Sequence, residues 1–161
     1  MTQPLSGIRV ADFSHVMAGP FASHILCLLG AEVIKIESHS GDQFRNYGAN
    51  RAFDGMSPAF IAANPGKKSI ALDLKDGADQ QTARQIIARC DVLLENFRPG
   101  VIERLGFGYD AVRELRPDII FCSVSGYGQD SPQRDWPAID NIVQATSGMM
   151  MLSGAEGDPP V

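Results

Sequence analysis

The sequence predicts a doubly wound α/β domain built on a mostly parallel sheet. Three observations lead to this fold class. Short apolar runs of strand length alternate with segments of helical periodicity. Glycine or proline marks most of the boundaries between them. The chain has 161 residues, of which 44% are hydrophobic and 20% charged, which is enough for one domain with its own core.

The first third of the chain has a βαβ pattern. An apolar run at 8–13 is typical of a buried strand, residues 20–29 predict a helix, and residues 32–36 predict a second strand. Pro20 suits the first turn of the helix, and Gly19 before it allows close approach of the backbone. Such a turn at a helix N-terminus exposes backbone N–H groups, so we expect an anion to bind there.

The segment 38–66 is too irregular for a long helix or a confident strand, because glycine and proline recur through it. We interpret it as an excursion over the sheet. Loops of this length are uncommon in compact domains unless they are functional or pack on a partner. Simple surface cover is the equally weighted alternative. The residues that we consider for a contact role are Arg45, Tyr47, Arg51 and Phe53.

Regular structure resumes after this excursion and again alternates between strands and helices. The predicted elements are a strand over 68–72, a helix over 78–89, a strand over 92–95, helices over 101–105 and 109–115, and a strand over 119–125. The apolar segment 140–152, which contains three consecutive methionines, predicts one further helix. A methionine cluster of this kind usually packs against another part of the protein.

Composition argues against several classes of function. A net charge of −5 without a long run of one sign is atypical of general nucleic-acid binding. No apolar stretch is long enough to span a membrane, and the first residues lack the pattern of a secretory signal, so we expect a cytoplasmic protein. The three cysteines and three histidines do not have the spacing of metal ligands, so we expect no metal.

The common glycine-rich and nucleophile motifs of α/β enzymes are missing. We find neither G-x-G-x-x-G after the first strand, nor a Walker-type lysine loop, nor a G-x-S-x-G elbow. Instead, polar or basic turns follow four predicted strands, at 12–19, 72–75, 96–104 and from Gly126 onward. The carboxyl ends of strands form the ligand crevice of a doubly wound sheet. The residues alone therefore predict binding of an anionic, nucleotide-like ligand.

Several blocks of sequence, taken in order, resemble family III CoA-transferases. They include DFSHVMAGP at 12–20, LGAEVIKIE at 29–37, NPGKKSIALDLK at 64–75, ENFRPGV at 95–101, SVSGYG at 123–128 and DNIVQATSG at 140–148. The resemblance implies that residues 1–161 form a Rossmann-like CoA-binding domain, truncated at its C-terminal end. In the full-length family, two chains interlock as a homodimer and each has a second, small domain, which is absent from this chain.

The resemblance implies transfer of CoA from an acyl-CoA to a carboxylic acid through a covalent intermediate on an Asp carboxylate. It places that nucleophile beyond Val161, so we name no catalytic residue and expect the 161 residues alone to be inactive. Asp140 belongs to an earlier block, where it suits a helix start. The alternatives are a non-catalytic CoA-binding or interaction module, and an NAD-dependent domain, which the missing glycine motif disfavours.

The resemblance also implies which residues contact CoA. They are His15, Val16, Met17, Ala18, Leu72, Asp73, Leu74, Lys75, Asn96, Phe97, Arg98 and Arg104. Three of them, Lys75, Arg98 and Arg104, can neutralise phosphates, and Phe97 offers an apolar face to a base.

Purely structural roles are alternatives at some of these positions. His15 could brace its turn, Asp73 and Lys75 could form a solvated strand-end pair, and Asn96 could cap the next helix.

Three positions differ from known branches of the family. Met17 stands where formyl-CoA transferases carry Gln, and Ser38 where they carry Arg. Ile139 stands where the racemases of the family carry His. These differences argue against formyl-CoA and oxalate as substrates and against racemisation.

Overall fold

The computed structural model describes residues 2–48, 55–153, 155 and 157–159. Residues 1–124 make up one compact unit and residues 125–161 another. Arg51 and Phe53, two of the residues considered for a contact role, lie outside the described residues.

The first unit alternates strands and helices as the sequence predicted. Its elements are β1 (Arg9–Asp12), α1 (Ala18–Leu28), β2 (Glu32–Glu37), a 3-10 turn (Gln43–Arg45), α2 (Pro58–Ala63), β3 (Lys68–Ala71), α3 (Gly77–Ile87), β4 (Val92–Glu95), α4 (Val101–Arg104), α5 (Tyr109–Leu115) and β5 (Ile120–Ser123).

The five strands form one sheet in the order β3-β2-β1-β4-β5, and every neighbouring pair is parallel. Strand β1 lies at the centre, where Val10 is opposite both Val33 of β2 and Val92 of β4. The chain builds outward to β3 on one side and then crosses back to add β4 and β5 on the other. This reversal beside β1 is the topological switch point of a doubly wound sheet, so the predicted fold class is confirmed.

Both faces of the sheet are covered, because consecutive strand residues point to opposite faces. Val10, Val33 and Leu94 pack on one face with residues that include Leu26 of α1. The larger cluster on the other face comprises Ala11, Phe13, Ile36, Leu72, Ala83, Ile87, Cys90, Leu93, Ile102, Phe107, Val112 and Ile119. Burial on both faces explains why the strands read as apolar runs and not as alternating patterns.

Within residues 38–48 and 55–66, the described part of the irregular excursion, the structure has a short α-helix that the sequence analysis did not predict. Helix α2 begins after Ser57, whose hydroxyl accepts hydrogen bonds from the N–H groups of Ala59 and Phe60 at 3.2 and 3.4 Å. Pro58 then occupies the first helical position. A serine N-cap followed by proline is a recognisable start signal, although the helix has only six residues.

In the second unit, the single helix predicted over 140–152 is wrong. Helix α6 (Asp140–Thr146) ends early, and a separate 3-10 turn (Met149–Leu152) follows it. Between them Gly148 has a φ of +77°, in the left-handed region where glycine commonly terminates a helix. Met149 and Met151 are exposed.

No helix within the described part of the chain combines the length and apolar character needed to cross a membrane.

We predict that strand β4, which lies between β1 and β5, is sensitive to loss of side-chain volume. Leu93 is fully buried in the larger core cluster, so Leu93→Ala should lower the free energy of unfolding by about 2–5 kcal/mol. Leu93→Met keeps the volume and should cost less than about 1.5 kcal/mol. Urea denaturation of the two variants checks this, and equal losses would contradict it.

Candidate functional site

A cavity of about 370 Å³ opens at the carboxyl ends of the strands. Its walls come from the segments that follow β1, β2, β3 and β4. The lining residues are Phe13, Ser14, His15, Lys35, Ile36, Glu37, Ser38, Gly41, Asp42, Gln43, Leu72, Asp73, Leu74, Lys75, Phe97 and Leu105. The cavity therefore lies where a doubly wound sheet places its ligand crevice.

The turn after β1 is fastened to the end of β4 by Asn96. Its amide nitrogen donates to the carbonyl of His15 at 2.8 Å, and its amide oxygen accepts the His15 N–H, also at 2.8 Å. The rings of His15 and Phe97 lie 5.0 Å apart. The alternative that Asn96 caps the next helix is wrong, because Gly100 occupies the N-cap of α4.

Val16, the next residue of this turn, has an unusual backbone. Its φ of +66° is the only positive value at a non-glycine residue in the described ranges. A β-branched side chain is strained in this region. The carboxylate of Asp42 accepts the Val16 N–H at 3.1 and 3.2 Å. Strain of this kind persists only where the surroundings fix the backbone.

Asp42 is itself half of a buried ion pair. Lys35 Nζ lies 3.0 Å from Asp42 Oδ2 and also donates to the carbonyl oxygen of Ser14 at 2.7 Å. The side chains of Lys35 and Asp42 are almost completely buried. Removing one partner of such a pair typically costs about 3–5 kcal/mol, because the other charge stays buried alone.

A second buried pair joins Asp12, at the end of β1, to Lys67 at 3.1 Å. Asp12 also accepts hydrogen bonds from the N–H and hydroxyl of Ser14 and from the hydroxyl of Ser23. Lys67 donates further to the carbonyl of Pro20 at 2.8 Å. Burial lowers the pKa of Lys67, and the charge of Asp12 opposes that shift. Both carboxylate oxygens of Asp12 are therefore engaged in holding the turn.

Glu37, at the end of β2, is paired with Arg45. Burial alone would raise the pKa of Glu37, but hydrogen bonds from Arg45, from the Ser69 hydroxyl and from the Asp42 N–H lower it to about 2. The Arg45 guanidinium also lies 4.0 Å from the centre of the Phe60 ring. Arg45, considered above for a contact with a partner, is thus engaged inside the first unit.

The structure brings half of the predicted CoA-contacting residues to the cavity wall. These are His15, Leu72, Asp73, Leu74, Lys75 and Phe97. Asn96 and Val16 belong to the supporting contacts described above. Met17 and Ala18 are exposed at the start of α1, where no side chain caps the helix. Arg98 and Arg104 are exposed beside the lining residues Phe97 and Leu105.

The cations around the cavity fall into two groups. The buried or half-buried ones, Lys35, Lys67 and Arg45, are paired with carboxylates. The exposed ones, Lys75, Arg98 and Arg104, form no ion pair with any residue that the structure describes. The Asp73 carboxylate accepts the backbone N–H of Lys75 at 3.0 Å, which is a turn contact and not the solvated ion pair considered as an alternative. Three cations are therefore left for an anionic ligand.

His15 contributes a neutral ring to the wall. Burial lowers its pKa, and the nearby charge of Lys35 also lowers it, whereas Asp42 and Asp12 raise it. The net lowering of its pKa favours the neutral form of the ring.

Sequence reasoning missed the part of the wall that follows β2. Ser38, Gly41, Asp42 and Gln43 line the cavity, whereas the residues of this excursion that the sequence analysis considered for a contact role were Arg45, Tyr47, Arg51 and Phe53. The carboxyl-end rule that identified the other turns applies equally to β2. A second signal was Lys35, because a lysine within the apolar strand β2 requires a buried partner.

The described ranges contain no group of three or more His, Cys, Asp or Glu side chains placed to hold an ion.

Comparison with known proteins gives one consistent family. The chain matches the model of CoA-transferase family III over residues 5–161. Acetyl-CoA:oxalate CoA-transferase of Acetobacter aceti is 45% identical over 158 residues, which cover 98% of this chain and 40% of that protein. Succinyl-CoA:glutarate CoA-transferase of Homo sapiens is 40% identical over 161 residues, with coverages of 99% and 36%.

Solved structures agree in fold. A CAIB/BAIF family protein from Brucella suis superposes with a TM-score of 0.93 at 32% identity, covering 100% of this chain and 43% of that one. Rv3272 from Mycobacterium tuberculosis gives 0.85 at 36% identity, covering 99% and 42%. The chain thus spans about two fifths of the length of the relatives it matches.

We predict that the first turn of α1 tolerates no side chain at Gly19. A Cβ there would lie 2.2 Å from Ser14 Cβ and 3.3 Å from Asn96 Cγ. Gly19→Ala should therefore destabilise the protein by about 1–3 kcal/mol through overpacking. Gly77→Ala is the matched control, because nothing lies within 4 Å of its Cβ and its φ is not positive. Thermal denaturation compares the two, and equal melting temperatures would contradict the close approach.

We also predict that Glu37 contributes to stability in acid. Its pKa is about 2 in the folded chain against an ordinary 4.5, so its ionised form stabilises the fold above pH 4.5. That stabilisation is lost as the pH falls from 4.5 towards 2. The free energy of unfolding, measured by urea titration, should fall less steeply over this range in Glu37→Gln. Glu114→Gln, at an exposed position of α5, should keep the wild-type slope. Identical slopes in all three proteins would contradict this assignment.

Proposed function

The chain belongs to CoA-transferase family III, and we propose that it is the N-terminal CoA-binding part of an enzyme that moves CoA from an acyl-CoA to a carboxylic acid. One observation carries the proposal within this molecule. The ligand crevice of the sheet has an apolar and aromatic wall that includes Lys75, and Arg98 and Arg104 are the sequence neighbours of the lining residues Phe97 and Leu105. None of these three cations has a carboxylate partner among the described residues. A nucleotide with several phosphates fits that combination.

In the proposed complex, the adenine ring packs between Leu72, Leu74 and Phe97. Lys75, Arg98 and Arg104 neutralise the phosphates, since Arg binds phosphate oxygens through two parallel N–H groups and Lys acts as a point charge. The thioester arm then runs along His15 to Ala18 towards the uncapped start of α1, whose backbone N–H groups favour negative charge.

The buried carboxylates at the strand ends, which include Glu37 and Asp42 of the cavity wall, are poor candidates for the nucleophile. Asp12, Glu37 and Asp42 accept hydrogen bonds from backbone or hydroxyl groups and are paired with cations. A carboxylate held in this way is a weak nucleophile and cannot move to a thioester carbonyl. We therefore propose that the Asp that forms the covalent intermediate lies outside these 161 residues.

The whole enzyme is proposed to follow the plan of its family. Residues 1–161 form the CoA-binding domain, a second small domain completes the protomer, and two protomers form a homodimer. The names of the relatives cited above pair a short acyl-CoA with oxalate or glutarate. We propose a dicarboxylic acid as the acceptor. Met17 and Ser38, which differ from formyl-CoA transferases, argue against formyl-CoA and oxalate as substrates, so the proposed acceptor is a dicarboxylic acid other than oxalate. A cytoplasmic location stays a prediction.

The NAD-dependent alternative is disfavoured by Glu37 as well as by the missing glycine motif. In dinucleotide-binding domains an acidic residue about 20 positions after the glycine loop bonds the ribose hydroxyls. Here the carboxylate at the end of β2 is occupied by Arg45 and Ser69. A non-catalytic CoA-binding module would share the cavity, and only the absence of transferase activity in the full-length protein would favour it.

We predict that the full-length protein binds CoA and that Lys75→Ala weakens binding roughly 10- to 100-fold, the effect of one charged hydrogen bond to phosphate. Arg104→Ala should act similarly. Lys68→Ala is the matched control, because it removes the same charge from an exposed residue at the opposite end of β3. Calorimetric titration measures the affinities, with NAD as competitor. Displacement of CoA by NAD, or equal losses at Lys68 and Lys75, would contradict the proposed site.

A further inference from the structure

The strained residue Val16 is held by a chain of contacts that runs back through the excursion after β2. Arg45 binds the Glu37 carboxylate, and Glu37 accepts the backbone N–H of Asp42 at 2.8 Å. Asp42 in turn accepts the N–H of Val16 with both carboxylate oxygens. This chain connects the end of β2 to the turn after β1.

Asp42 is also fixed from two further directions. Its carboxylate accepts the N–H of Phe44 at 2.9 Å and pairs with Lys35 Nζ at 3.0 Å. Its side chain is completely buried. The oxygens are thus presented to Val16 in one orientation, as a rigid acceptor and not as a mobile surface group.

Without this acceptor, Val16 would gain by returning to negative φ, which its branched side chain prefers. That change rotates the two peptide groups that flank Val16. Asn96 is hydrogen-bonded to the peptide groups on either side of His15. The rotation would therefore move mainly the peptide group between Val16 and Met17, and with it Met17 and Ala18. These residues lead directly into the uncapped start of α1.

From this geometry we infer that Asp42 is a positioning residue for CoA, which keeps Val16 left-handed so that the segment from Val16 to Ala18 meets the ligand in a prepared conformation. The inference rests on the proposed function, because it takes CoA as the ligand of that segment. If Val16 adopted negative φ in the free protein, it would have to return to the left-handed conformation on binding. The apparent affinity for CoA would then be reduced in proportion to the fraction of molecules that have the left-handed turn.

A purely structural role for Asp42 gives a different expectation. If Asp42 served only to neutralise Lys35, its removal would affect the protein equally whichever residue stood at position 16. If it acts through the backbone of Val16, glycine at that position makes Asp42 dispensable for binding, because glycine adopts positive φ without strain.

The test is a double-mutant cycle in the full-length protein. Asp42→Ala should weaken CoA binding about tenfold or more in the wild-type background, and less than about threefold in the Val16→Gly background. The KM for the acyl-CoA should follow the same pattern, with kcat changing less than KM. Asp42→Ala in a Gly77→Ala background is the control, and the full loss should persist there because Gly77 lies at the start of α3, in contact with neither residue.

The outcomes separate the two ideas. Equal losses in the Val16 and Val16→Gly backgrounds, with a wild-type protein that binds CoA, overturn the positioning role and leave the proposed function intact. A folded wild-type protein that does not bind CoA overturns the proposed function and the positioning role with it. If Asp42→Ala alone fails to fold because Lys35 is left unpaired, the cycle is run on Lys35→Met/Asp42→Ala, which removes both charges, and the same rescue by Val16→Gly is required.

Discussion

The ion pair between Lys35 and Asp42 connects the interior of the sheet to the turn that shapes the cavity. Lys35 rises from the centre of β2 with an almost fully buried side chain, and it must find a negative partner there because an isolated buried ammonium is unstable. Asp42 supplies that charge only if the chain after β2 folds back over the end of its own strand. Once it does, the same carboxylate reaches Val16. The ion pair of Asp42 with Lys35 therefore holds the excursion over the sheet. The hydrogen bond from the Val16 N–H to the same carboxylate then keeps the turn in its strained conformation.

The topology decides where this requirement acts. Strands β2, β1 and β4 are adjacent and parallel, so their carboxyl ends open at one edge. Asp12 ends β1, Glu37 ends β2 and Asn96 directly follows β4. Each bonds a different segment: Asp12 bonds Lys67, Glu37 bonds Arg45, and Asn96 bonds His15. The Asp12 and Asn96 contacts join residues 55 and 81 positions apart in the sequence, whereas the Glu37 contact closes the excursion onto the end of its own strand over 8 positions. In a parallel sheet with a switch point, these polar residues form one rigid rim, by which we mean Asp12, Glu37, Asn96 and their hydrogen-bond partners. Hydrophobic packing alone could not orient these side chains.

The sequence predicted the regular elements of the first unit well, because their signals are local. Helix α5 (Tyr109–Leu115) and strand β4 (Val92–Glu95) have the predicted bounds, since periodicity and flanking turn residues lie within a few positions. The prediction of one helix over 140–152 was wrong because the apolar pattern was given more weight than Gly148, a local signal for the end of a helix. The contacts of Arg45 and Asp42 could not be predicted for another reason. Their partners, Glu37, Lys35 and Val16, depend on how the excursion folds back over the sheet. Composition and residue spacing do not determine how the excursion folds back. His15, Lys75 and Phe97 could be assigned to the cavity wall because they lie in the turns that directly follow strands.

The distribution of charge separates support from binding. A cation next to a carboxylate stabilises the fold only where both are held in place, and Lys35, Lys67 and Arg45 meet that condition inside the rim. Lys75 lines the same cavity, and Arg98 and Arg104 are next in sequence to its lining residues Phe97 and Leu105. All three lack ion-pair partners in the described residues, although the chain as a whole is acidic, with a net charge of −5. Because acidic residues outnumber basic ones in this chain, carboxylates are available to pair with these cations. Unpaired and exposed cations add nothing to the stability of the fold. The arrangement is explained if the neutralising charge is brought by the ligand. Under the proposed function that charge is the phosphate of CoA, and the paired cations beneath it keep the rim rigid while the unpaired ones stay free to bind.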